Sequence, residues 1–557
     1  MKNIKNILIA ALCVVSLMTS CIEETQPQSS TITAAQAAAA PGAYQNFVNA
    51  VTSSLAGQFT YNGNSNTSPW DFGYPSFFLM RDVMGNDMVC ETGGSEWYST
   101  WYGCGVALGP QYAVCQLPWT YYYKWIKNCN NVISLYLADP TTDKESGAGI
   151  AYAMRAMFYM DIARMYCPTT YGADKNAETV PYVSESTELS SLPTNARATN
   201  ADMWNYIIND LNEAEKFLAN YKRTDKYTPD LSVVYGLKAR AYLTMEDWAN
   251  AQKYAKQAQA GYSIMTEAQF RDQKTGFNTP NDSWIFALTF KSDDPNIQLN
   301  DADSCWGSQM IIEVSESGCG YSSNYVGPKR IDRHFFETIP ATDFRKKCWV
   351  DFAIDELPDK ATKLAALAEY SDSPAGLYNT GMVVSASACV GGMPVKFRPK
   401  DGEHNDQYKA FTVAVPLMRV EEMYLIEAEA AGMQNEATGI QLLTAFAKTR
   451  NPEFNYDNEH YDSYYGKQGK FQNACWWQRR VELWGEGFAT FDIKRLQKGV
   501  IRSYKGTNHP VDFRWNKESN PDWMTLCFVQ TETNYNSACN QNPTPIKPTA
   551  DSEEYVF

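Results

Sequence analysis

Histidine is scarce: the 557 residues hold four, His334, His404, His460 and His509, none close to another. There is no H-E-x-x-H and no C-x-x-C. No glycine-rich phosphate loop or nucleophile elbow stands at a strand-to-helix junction either, so the familiar zinc, nucleotide and serine-hydrolase signatures are missing. His334, in DRHFF, reads as a loop or core histidine. Basic charge is short as well. Lysine and arginine number 48 against 63 aspartates and glutamates, a net charge of −15, whereas a nucleic-acid binder needs a basic surface to neutralise phosphates. The acidic run KSDDPNIQLNDADS offers Asp293, Asp294, Asp301 and Asp303, but it lacks the spacing of an EF-hand and reads as a solvated loop. No metal or cofactor is expected. What the chain holds in quantity is aromatic: 35 Tyr, 25 Phe and 15 Trp, in a length sufficient for a large core or several domains.

The one long apolar run, Ile7 to Met18, is too short to span a bilayer comfortably. It follows Lys2 and Lys5 and precedes small residues, the layout of an export signal. SLMTSC resembles a bacterial lipobox, with cleavage before Cys21 and acyl chains attached to its sulfur. Glu23 and Glu24 resemble the surface-export signal of Bacteroidetes lipoproteins. The expected boundaries are a signal peptide at 1–20, a lipidated cysteine and flexible tether at 21–43, and one domain at 44–557. Buried acyl chains contribute about 0.8 kcal/mol per methylene, enough to anchor an otherwise soluble, extracytoplasmic protein. With Cys13 in the signal and Cys21 lipidated, 12 of the 14 cysteines remain. An exported protein permits disulfides, and Cys90 with Cys104, or Cys305 with Cys319, can close local loops; buried free thiols fit equally well.

Helical periodicity dominates the rest. TNADMWNYIINDLNEAEKFL places Met203, Ile207, Leu211, Ala214 and Leu218 on one face, with Thr199 able to cap the start. SVVYGLKARAYLTMEDWANAQKYAKQAQA reads as two helices joined near Met245–Asp247. Its small-residue spacing resembles a tetratricopeptide pair, in which alanines let helices approach closely. PLMRVEEMYLIEAEAAGMQNEATGIQLLTAF repeats the plan, and AYAMRAMFYMDIARMY, apolar on most sides, predicts a buried helix. Two stretches lack the period. One runs from YNGNSNTSPWDFGYPSFFLM to WYGCGVALGPQY, the other from about Gly261 to Ala414, where NDSWIFALTF looks like a strand. Long irregular segments in a compact protein tend to carry function. The expected fold is mostly α: tetratricopeptide-like helix pairs form a scaffold carrying a loop-rich irregular region.

WWQRRVELWGEGFATFDIKR, Trp476 to Arg495, concentrates the charged chemistry. As helix it buries Trp477, Val481 and Trp484, and Gly485 with Gly487 breaks it. Arg479 can pair with Glu482 three residues on; Glu486, at the break, can accept backbone N–H groups of the next helix or reach Arg495. Glycoside hydrolysis needs two carboxylates flanking a cleft. An arginine beside a carboxylate lowers its pKa and spoils it as a general acid. The stretch therefore reads as a structural ion-pair lock.

RRVELWGEGFATFDIKR also resembles the C-terminal signature of the SusD/RagB family through Arg479, Arg480, Glu482, Leu483, Glu486, Gly487, Asp492 and Arg495. It departs from that pattern at Gln478, where Glu is common, and at Ala489, where Arg is usual. WIKNCNNVI, AMRAMFYMDIARMY, VPYVSESTELSSLPTNARATNADMWNYIINDLNEA, GLKARAYLTMEDWANAQKYA and RVEEMYLIEAEA agree in order, so the resemblance covers about Tyr44 to Phe557. It implies a non-catalytic outer-membrane, cell-surface lipoprotein that binds a nutrient, usually a glycan. Such a protein lies over a SusC-like TonB-dependent transporter, on a SusD-like fold with four tetratricopeptide-like helix pairs. Sugar recognition asks for aromatic rings stacked on pyranose C–H faces, with polar groups at their edges. By family position and composition the candidates are Arg81, Trp97, Tyr98 and Trp101, then Trp306 and Tyr325. The alternatives are the oligopeptide binding of the RagB branch and a surface glycosidase using Glu91 or Glu96.

Overall fold

A computed structural model describes residues 42–58, 70–91, 96–298, 302–314, 320–322, 327–350, 352, 354–383, 392–459, 461–550 and 552–557. The signal, Cys21, most of the tether, Cys319, Tyr325 and His460 lie outside the described residues. The chain divides into Met1–Asn46 and Phe47–Phe557. Of the first unit only residues 42–46 are described, including the opening of helix α1 (Ala43–Ser53); all that follows concerns the second.

Helix α2 (Ser76–Val83) and the short α3 (Ser99–Gly103) precede two long helices, α4 (Ala113–Ala138) and α5 (Glu145–Tyr166), which pack together. Almost every residue of α5 is buried because helices cover it on two sides: α4 and then α6 (Asn200–Leu218). Thr199 caps α6 by accepting from the Asp202 N–H at 3.1 Å, and the expected face from Met203 to Leu218 is buried. Helices α7 (Leu231–Thr244) and α8 (Trp248–Ala258) form the next hairpin, with Asp247 capping α8. Buried Ala251, Ala255 and Ala258 let α8 lie against α9 (Val420–Gln434), which pairs in turn with α10 (Glu436–Lys448). The tetratricopeptide-like pairing is thus present, its small residues at the helix contacts.

Strands are short. The described residues contain four two-stranded antiparallel sheets. Strand β1 (Met88–Val89) pairs with β5 (Arg330–Ile331), β2 (Glu178–Pro181) with β3 (Arg197–Thr199), β4 (Trp284–Thr289) with β6 (Ala414–Arg419), and β7 (Val500–Ile501) with β8 (Asn516–Lys517). The expected strand at Trp284 is therefore real, and its partner leads straight into α9. Ten cysteines among the described residues, Cys90, Cys104 and Cys305 included, are buried free thiols.

Helix α11 (Lys470–Glu482) ends where Gly485 and Gly487 take φ of +79° and +81°, and α12 (Ala489–Arg495) follows. The lock exists with different partners. Arg479 reaches Asp492 at 2.8 Å, not Glu482. Glu482 instead accepts from Arg345, Arg419 and Arg450 at 3.0–3.1 Å. Glu486 holds Arg419 and Lys396, while Arg495 takes Glu429 and Asp492. The backbone N–H groups at the helix break are bound by Asp82, from Gly487 at 3.0 Å and Ala489 at 3.1 Å. The reason is charge balance. In a dry core a carboxylate is stable only where several cations converge on it. Burial alone raises the Glu482 carboxyl, but the guanidiniums of Arg450, Arg419 and Arg345 outweigh it and hold the group far below the ordinary carboxylate range.

Candidate functional site

Two irregular segments, remote in sequence, meet beside helix α2. Strand β1 closes on β5, Arg330 binds Glu91 at 2.6 Å, and Lys329 binds Glu96 at 3.3 Å and Gln309 at 2.9 Å. Glu96 also accepts from the Tyr98 N–H at 2.9 Å, which fixes the entry to α3. On the other side the turn Trp70–Tyr74 is pressed onto the chain at Leu55. Gly73 has φ +81°, and a Cβ there would meet the Leu55 carbonyl oxygen at 2.0 Å, so only glycine fits.

These constraints gather an aromatic cluster. Trp70 lies 5.3 Å from Trp97 at a 49° tilt and 6.1 Å edge-on from Trp101, and Trp101 lies 5.3 Å from Tyr98. The cluster has an inner and an outer half. Tyr98 and Trp101 are 0% and 1% exposed, with the Tyr98 hydroxyl 3.0 Å from Ser76 Oγ. Trp70 and Trp97 are half-buried and form the outer half. The Trp97 indole nitrogen, shielded from solvent, donates to no acceptor among the described residues.

Several of the expected ligand residues are buried in this geometry. Arg81, 2% exposed, donates from Nε to the Gly487 carbonyl at 2.8 Å and lies 4.6 Å over the Phe491 ring, so it ties α2 to the helix break. Trp306, 1% exposed, packs edge-on against Phe397 at 5.2 Å and Phe78 at 6.1 Å. Like Tyr98 and Trp101, these side chains have no free face for a sugar ring. They are core residues. Trp97 keeps the exposure a platform needs, and Tyr325 lies outside the described residues. Trp70, which the sequence reading did not single out, joins Trp97 at this edge, and SPWDFG shows the same signal as the Trp97 segment: an indole among turn residues with no helical or strand period.

The carboxylates that the sequence put forward for acid–base chemistry are all engaged by cations. Glu91 and Glu96 are each held by a cation, as above, and the Glu482 and Glu486 oxygens are filled by arginine and lysine. No group of three or more His, Cys, Asp or Glu is placed to hold a metal among the described residues. No described helix is long and apolar enough to cross a membrane.

Two family models match the chain. Residues 95–243 fit one described as SusD-like, starch-binding associating with outer membrane, and residues 359–547 fit that of the SusD family. No curated protein matches. Among solved structures, a SusD-like carbohydrate-binding protein from Bacteroides vulgatus superposes with a TM-score of 0.67 at 22% identity, covering 89% of this chain and 97% of its own. A SusD superfamily protein from Bacteroides thetaiotaomicron gives 0.65 at 18%, covering 92% and 100%. A laminarin-binding SusD-like protein gives 0.59 at 17%, covering 90% and 98%.

Proposed function

The chain belongs to the SusD/RagB family, and from that premise we propose that it is a non-catalytic glycan-binding lipoprotein of the outer-membrane surface, with Trp70 and Trp97 as its sugar platform. The observation that carries the reading is this outer pair. Two indoles, tilted at 49° and held from beneath by Trp101 and Tyr98, stay half-exposed where two irregular segments meet. Such a wedge stacks on the C–H faces of a pyranose. Cys21 is the proposed lipid attachment after removal of residues 1–20, and residues 21–43 are the tether. A SusC-like TonB-dependent transporter is the proposed recipient of the captured oligo- or polysaccharide. The laminarin-binding relative supports a glycan as ligand.

The test is electrophoresis of the chain lacking Met1 to Cys21 through native gels containing laminarin, starch, xylan or host glycans. Retardation by at least one polysaccharide, clearly reduced in Trp97→Ala, is the expected result. If no gel retards the protein and calorimetry shows heat with mixed oligopeptides, the ligand is a peptide and the proposal fails.

A further inference from the structure

A cleft that shares no lining residue with the Trp70–Trp97 cluster lies between helix α4, the segment 181–195 and the helix α13 (Gln530–Tyr535). Its volume is about 500 Å³, within the roughly 300–1,000 Å³ range of small-ligand pockets. Its walls are already set. The Asn536 amide donates to the Asn195 carbonyl at 2.7 Å, and the Ser537 N–H to that of Pro193 at 2.9 Å, which fastens the C-terminal wall to the 189–195 turn. The Tyr123 hydroxyl donates to the Pro181 carbonyl at 2.5 Å, and its ring lies 4.4 Å from Trp119, which fastens the floor.

The mouth is unusual. Leu189 and Tyr535, 81% and 59% exposed, are large hydrophobic side chains open to solvent, and both line this one cleft. Along α4, Lys127, Asn131 and Ser134 follow at helical spacing and line the same opening. No hydrogen bond within the described protein engages these three side chains or the Tyr535 hydroxyl, whereas the deeper groups are satisfied: Glu185 by Arg155 at 2.5 Å, and the Asn130 oxygen by the same arginine at 2.8 Å. The cleft therefore combines aromatic faces, a row of free amide, hydroxyl and ammonium donors, and little net charge. A purely apolar anchor would strand the polar row, and a highly charged ligand of either sign would meet the opposed pair of one ammonium, Lys127, and one carboxylate, Glu532. A chain of hydroxyl-bearing rings matches both halves.

We propose that this cleft is a second carbohydrate site, taking a short neutral oligosaccharide, with Tyr535 as stacking face and Lys127, Asn131 and Ser134 as hydroxyl partners. It does not depend on the Trp70–Trp97 platform. Two sites on one chain would hold a polysaccharide by avidity wherever the strand reaches both.

Hydrogen–deuterium exchange of the full chain in detergent tests it, with laminarihexaose, maltohexaose and xylohexaose as separate millimolar probes. At about ten times the dissociation constant, exchange through openings that free the bound sugar slows about tenfold. The expected result is such slowing in peptides covering 181–195 and 530–536 with at least one probe, lost in Tyr535→Ala and in Asn131→Ala. Unchanged exchange there with all three probes overturns the proposal, as does slowing that persists in both variants. Slowing confined to 70–103 overturns the second site and leaves the platform; slowing confined to the cleft upholds the second site and removes the platform.

Discussion

Glu482 is the residue whose surroundings say most about this chain. Three guanidiniums converge on it. Across the network Arg345, Arg419, Arg450 and Lys396 face Asp343, Glu421, Glu482 and Glu486, four charges against four, all buried. Glu482→Gln leaves one positive charge unmatched in a dry core, and removal of one partner from such a set costs about 3–5 kcal/mol. Urea denaturation at neutral pH is expected to show that loss. The pH dependence has a definite sign. Because the folded-state pKa lies below the unfolded value of about 4.3, the wild-type advantage over Glu482→Gln is complete above that pH. It shrinks as pH falls through the folded-state pKa. An advantage that grows on acidification contradicts the assignment.

At the scale of elements, the junction of α11, α12 and α2 organises the fold. Gly487 has a positive φ, and a Cβ on it would meet the Phe78 Cα at 2.7 Å and Cδ1 at 2.6 Å. Gly487→Ala therefore combines backbone strain with a clash against main chain, an expected loss of about 2–4 kcal/mol. Gly469 caps α11 at φ −71° with nothing within 4 Å of its Cβ position, so Gly469→Ala meets no clash and should cost only the N-cap preference, at most about 1 kcal/mol. Equal melting shifts for the two variants would contradict this. The same junction shows what sequence alone resolves. The helices were legible because Met203, Ile207, Leu211, Ala214 and Leu218 keep one period whatever lies opposite. Partner choice was not. Arg479 had Glu482 in reach by local spacing, yet the carboxylate that closes on it is Asp492, beyond two glycine turns. Asp82 binds the Gly487 N–H from 405 residues away, a contact no local pattern encodes.

For the whole molecule, a helical scaffold carries aromatic residues of one composition and two fates. Trp97 and Trp101 stand four residues apart in one segment, and sequence gave no reason to separate them. Burial separates them, because Tyr98 and Trp101 face α2 and the core while Trp97 and Trp70 stay at the edge. The most direct measurement is therefore calorimetric titration of wild type and Trp70→Ala/Trp97→Ala with whichever glycan retards the protein in gels. Truncating two central contact residues is worth on the order of 2 kcal/mol or more, about thirtyfold in Kd. The expected result is that loss with the protein still folded at the titration temperature, its melting point lowered only by the packing the two indoles lose. A double variant that binds as tightly as wild type would show that the outer indoles are not the sugar platform.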